Sequence, residues 1–169
     1  MLKKLKTKNL KLNRGFTLIE LVIVAGILTI IASFVLTTIN PMAQFQKTND
    51  GRRKSDLAQI QRALEAYYQD NGKYPDSDAS SNPANVTPGG SWSPYMNEFP
   101  SDPSSSKKYV YRAPTGGQSY RIYASLERNN DSQGCYLPSC NFFISNLNCS
   151  SNSTQIECNY GVSSPDVNP

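Results

Sequence analysis

Arg14-Gly15-Phe16-Thr17-Leu18-Ile19-Glu20 decides the architecture of this chain, because three physical properties meet there. A run of positive charge (Lys3, Lys4, Lys6, Lys8, Lys11, Arg14) ends at a glycine. An apolar segment of membrane-spanning length then begins and continues to Ile39. One carboxylate, Glu20, lies within the first turns of that segment, where hydrocarbon would surround it. An ionisable group in a span is costly and marks a functional position by default, although a charge near a helix end can reach back to the interface. At about 1.5 Å per residue, residues 16–39 make roughly 36 Å of helix, enough to cross a bilayer. The basic leader holds the N-terminus in the cytoplasm and sends the C-terminus across.

Gly15-Phe16-Thr17-Leu18-Ile19-Glu20 resembles, residue for residue, the processing site of type IV prepilins and of type II secretion pseudopilins. The resemblance implies that a prepilin peptidase cuts after Gly15, that the new N-terminal Phe16 is N-methylated, and that Glu20 sets the register of subunits in a helical filament. It also implies a pilin-like α+β fold, in which a long N-terminal helix packs against a small antiparallel sheet. An ordinary secretory signal places its cleavage site after the apolar region; here Gly15 precedes it, so the helix stays on the mature chain. The implied partners are the chain itself, the peptidase, a pilus or type II secretion assembly machinery, and membrane lipid before assembly. The implied location is single-pass in the bacterial cytoplasmic membrane, then an extracellular or periplasmic filament. A surface pilus subunit is the main expectation. A secretion pseudopilin, or a minor tip pilin binding DNA or surfaces, is the alternative.

Four segments follow: a leader (1–15), a span (16–39), an extramembrane helix (40–74) and a loop-rich β domain (75–169). Within the second helix Pro41 and Gly51 suggest a kink or loosened stretch. From Lys54 onward Leu57, Ile60, Ala63, Leu64, Tyr67 and Tyr68 recur at helical spacing and form one apolar face, while Arg52, Arg53, Lys54 and Asp56 read as its wet side. Gly72 suits a C-cap, with Pro75 beyond it. Residues 75–108 are rich in Pro, Ser, Asn and Gly and read as a connecting loop with one short helical turn near Ser93–Phe99, anchored by Trp92. Asp102-Pro103 matches a pair that pseudopilins similarly carry before their first strand; the Trp-Gly that often follows is absent. Tyr109–Tyr111 and Tyr120–Leu126 flank a turn with Pro114, Gly116 and Gly117 and read as a hairpin, with Tyr120, Ile122, Ala124 and Leu126 toward the helix and Arg121 and Tyr123 away from it. Tyr160-Gly161-Val162 is a candidate last strand.

The formal charge of +4 belongs to the leader. Without it, 11 basic side chains face 13 acidic ones, a net of −2, which excludes a generally basic polyanion binder. Cys135, Cys140, Cys149 and Cys158 cluster near the C-terminus and point to disulfides in an oxidising compartment, sequential pairing being favoured among three connectivities. Absence of histidine removes the commonest general base and metal ligand, and no nucleophile motif or phosphate loop occurs, so neither enzyme activity nor a cofactor is expected. Lys107, Lys108, Arg112 and Arg121, interleaved with tyrosines, are a candidate polyanion surface that could track DNA; strand alternation explains the same spacing. Asp131 beside two asparagines is a weak calcium candidate.

Overall fold

The computed structural model describes residues 15–38, 40–78, 81–83, 85–135 and 147–165. The chain divides into two units, Met1–Pro41 and Met42–Pro169.

In the first unit, helix α1 spans Leu18–Thr38. Its start is a capping box. Thr17 precedes the helix, its hydroxyl accepts the Glu20 N–H (3.3 Å), and the Glu20 carboxylate accepts the Thr17 N–H (2.9 Å) and donation from the Thr17 hydroxyl (2.7 Å). Leu18–Val35 is long and apolar enough to cross a membrane, and none of it is buried within the chain. The hydroxyls inside this stretch return to the helix's own carbonyls, Thr29 to Gly26 (2.8 Å) and Ser33 to Thr29 (2.8 Å). Polar groups satisfied in this way can enter hydrocarbon without losing a hydrogen bond.

In the second unit, helix α2 runs unbroken from Pro41 to Asn71. Pro41 occupies the first helical position, where its missing N–H has no partner to lose. The interruption falls before it, at Asn40, and the helix continues through Gly51, so the expected loosening between Pro41 and Gly51 does not occur. Gly72 ends the helix with φ of 68° and an N–H bond to the Tyr68 carbonyl (2.8 Å).

Three short strands, β1 (Val110–Arg112), β2 (Arg121–Ala124) and β3 (Tyr160–Ser163), form one antiparallel sheet in the order β1-β2-β3. Val110 pairs with Tyr123 and Ile122 with Val162. The ladder stops at Ala124, short of the expected Leu126. Beyond it the Asn159 side chain takes over as a surrogate strand, accepting the Leu126 N–H (2.6 Å) and donating to the Leu126 carbonyl (3.1 Å). The core lies between α2 and the inner face of the sheet: Leu57, Ile60 and Leu64 meet Tyr120, Ile122, Ala124 and Tyr111. Trp92 stacks on Tyr67, with 5.7 Å between ring centroids, and pins the connecting loop to α2. The loop has no helical turn at Ser93–Phe99. A tight turn with a cis Ser93–Pro94 bond is closed there by a Trp92–Met96 bridge.

Two readings of faces need correction. Arg53 and Asp56 are buried, Arg53 fully (0% exposed), so the Asp50–Asp56 stretch of α2 has charged residues on its inner side. The outer face of the sheet is covered as well. Tyr123 (0% exposed) and Val110 form a second cluster with Cys149, Cys158 and Leu147. The Cys149–Cys158 disulfide closes a ten-residue loop that lies over this face. Opposite Tyr123 in the ladder stands Gly161, where a β-carbon would come within 2.9 Å of the tyrosine ring. Only glycine leaves that ring its place.

Candidate functional site

The processing motif is open to a second molecule. Phe16 is 89% exposed and nothing lies within 4 Å of a β-carbon position on Gly15. Helical structure begins at Leu18, so the bond that follows Gly15 sits in non-helical chain. Arg14 and the rest of the leader lie outside the described residues. Glu20, read from sequence as a register residue, has in the single chain a partner that the reading missed, Thr17. The signal was legible, since Thr17-Leu18-Ile19-Glu20 has the Thr-x-x-Glu spacing of a capping box.

The four basic candidates fall into two pairs with different surroundings. The Lys107 ammonium donates to the Ser125 carbonyl (3.0 Å), and burial, reinforced by the Arg53 charge, pushes its pKa down. Lys108 lines a cleft of about 420 Å³ with Phe99, Pro100 and Tyr109. Arg112 and Arg121 face each other across the ladder at the other end of the hairpin, and Arg112 donates to the Ser81 hydroxyl (2.6 Å). From 108 to 112 an extended chain covers about 13 Å, which separates the two pairs.

Asp131 is already neutralised. One carboxylate oxygen accepts from the Lys54 ammonium (2.6 Å) and the other from the Arg128 guanidinium (2.6 Å), while Gln133 N–H adds a third bond. The Lys54 hydrogen bond is the main reason its carboxyl is held below the usual range. No group of three or more metal-ligating side chains occurs among the described residues. A divalent ion would have to displace two cations that carry equivalent charge. Excess chelator is therefore expected to leave the melting temperature of the purified protein unchanged; a fall reversed by added calcium would show that a cation holds this loop.

Cys149 and Cys158 are paired, 5.2 Å apart at Cα, as sequential connectivity requires. Cys135 is also in a disulfide, and Cys140 lies outside the described residues.

Sequence reasoning also missed the buried charge centre on α2. Arg53 forms a two-pronged pair with Asp102 (Nε to Oδ2 2.8 Å, Nη2 to Oδ1 2.9 Å) and reaches Glu127 (2.8 Å) and Asp50 (3.1 Å). Asp50 and Arg53 are three residues apart on α2, but Asp102 and Glu127 lie far away in the chain, so local spacing does not announce the cluster. The Asp102-Pro103 pair was the visible half of it.

Comparison with known proteins places these elements together. Residues 40–134 match the family described as "Type II secretion system (T2SS), protein G", which takes in α2, the connecting loop, β1 and β2. Residues 10–36 match the "Prokaryotic N-terminal methylation motif". The type II secretion system core protein G of Vibrio cholerae is 31% identical over 117 residues, covering 63% of this chain and 75% of the relative. That of Aeromonas hydrophila is 32% identical over 100 residues (53% and 66%), and that of Klebsiella pneumoniae 40% over 62 residues (37% and 43%). No solved structure matches. The protein G match ends just before Cys135, so the cystine region and β3 lie beyond it. These relatives agree with the secretion alternative, and they agree with the surface-pilus expectation only at the coarser level of a pilin-like subunit. With more than half of its length matched, and a methylation motif ahead of that match, the chain belongs to the type II secretion system protein G family.

Proposed function

We propose that this chain is a pseudopilin, a structural subunit of a short filament in a type II secretion apparatus, and not an enzyme. The observation that carries this reading is the order of parts: a methylation motif, then an apolar α1, then a protein G match running from α2 through β2. The peptidase would cut after Gly15, leaving Phe16 as a methylated amine. The mature chain would sit in the cytoplasmic membrane through α1 with its second unit outside. On assembly, apolar helices would exchange lipid contacts for contacts with neighbouring helices, a step favoured by the small residues Ala25, Gly26, Ala32 and Ser33. In the packed state Glu20 would face the Phe16 amine of an adjacent subunit, a pairing that sets register more than it adds stability.

The deciding experiment is mass spectrometry of the N-terminus in washed membranes and in material sheared from the cell surface. The expected result is a methylated Phe16 N-terminus confined to the membrane fraction. The same N-terminus concentrated in sheared filaments would return the surface pilus reading. An intact 1–15 leader in both fractions would overturn the processing assignment.

A further inference from the structure

The buried charges around Arg53 have an arrangement that simple stabilisation does not require. Four cations (Arg53, Lys54, Lys107, Arg128) and four carboxylates (Asp50, Asp102, Glu127, Asp131) gather around the Asp50–Lys54 stretch of α2. They come from three separate places in the chain: α2, the 99–108 segment, and the segment after β2. Arg53 and Asp102 have fully buried side chains, and Asp50 is 1% exposed. Removing such groups from water costs several kcal/mol per ion in general, and apolar residues of equal volume would hold the same elements together as well or better. What a guanidinium supplies instead is direction: a rigid fork that fixes several acceptors at set angles.

Asp102 and Asp50 in turn hold main chain. Asp102 accepts the Ser104 N–H (2.8 Å) as well as both prongs of Arg53. Asp50 accepts the N–H of Glu127 (2.7 Å) and of Arg128 (3.1 Å) as well as Arg53 Nη1. The two held segments also form walls of surface clefts. Residues 101–108 line the 420 Å³ cleft that contains Lys108, and Glu127–Asn130 line a groove of about 530 Å³ against Ala43–Lys47.

We propose that Arg53 is a positioning residue that acts as a latch with two separable arms. Its Asp102 arm holds residues 101–104 on α2, and its Asp50 and Glu127 arm holds residues 127 and 128. Each arm fixes one wall of its cleft. The latch is a property of the second unit and is independent of whether the filament serves secretion.

Hydrogen–deuterium exchange on the full chain in detergent tests the proposal, with Asp102→Asn and Asp50→Asn as variants. Both substitutions conserve volume, but an amide NH₂ then faces a donor on at least one side, because every carboxylate oxygen involved accepts an N–H. Asp102→Asn is expected to raise exchange about tenfold or more at residues 101–104 and leave Glu127 and Arg128 unchanged. Asp50→Asn is expected to do the reverse. In both, the ladder amides of Arg121–Ala124 and Tyr160–Ser163 stay protected. Uniform loosening of the sheet in either variant, or no change in either, would overturn the latch. Should an asparagine variant not fold, Arg53→Lys replaces it. Loosening of both segments with the ladder spared supports the proposal, and any other pattern overturns it.

Discussion

Glu20→Gln should be cleaved and methylated like the parent chain and yet fail to assemble, with filament yield down by about tenfold or more. The choice of glutamine follows from the geometry. In the single chain, Glu20 accepts two hydrogen bonds from Thr17 and so closes the capping box of α1. A glutamine carbonyl can accept the same bonds, so this variant keeps the cap and removes only the charge. Glu20→Ala removes both. If assembly needs the carboxylate as counter-ion to the Phe16 amine of a neighbour, the two variants fail alike, since each leaves that amine buried without a partner. If Glu20 serves only to start the helix, Glu20→Gln assembles normally and Glu20→Ala alone is impaired. Filament yield after cross-linking, with N-terminal mass to confirm processing in each variant, separates the outcomes. Normal yield from both variants would remove Glu20 from assembly altogether.

Replacing Cys149 and Cys158 together by serine should lower the melting temperature of the second unit by roughly 10 °C. The disulfide closes a ten-residue loop. On chain entropy alone such a cross-link contributes about 2–3 kcal/mol. A second effect adds to the first. The loop covers Tyr123 and Val110, which β2 and β1 turn away from α2, and a loosened loop would admit water to that face. The thermal melt of the double serine variant against the parent, both non-reduced, measures the sum. Tyr123→Ser alone and the triple variant that joins it to the cysteine pair isolate the second contribution: if the cover matters, the two changes are less than additive. An unchanged melting temperature in the Cys149/Cys158 variant would mean that the loop holds its place without the cross-link.

The sequence by itself determined much of what rests on local spacing. The length of the apolar run specifies a helix long enough to cross a membrane, because helix rise needs no tertiary context. The heptad-like recurrence of Leu57, Ile60, Ala63 and Leu64 marked the buried stripe of α2, and Gly72 marked its end, since a left-handed terminal residue favours glycine. Alternation in Tyr120, Ile122 and Ala124 marked the inner face of the sheet. Only the tertiary structure decided what covers the second face of a strand and where a charged helix face points. Alternation says that Tyr123 and Arg121 lie opposite the core face, but not that a cystine loop more than twenty residues later in the chain closes over Tyr123. Helical spacing puts Arg53 and Asp56 beside the apolar stripe, and their chemistry argues for water. They are inside because Asp102, Glu127 and the Tyr109 hydroxyl arrive from distant segments to satisfy them. Burial of a charge is settled by its partners, and these partners meet only when the chain is folded.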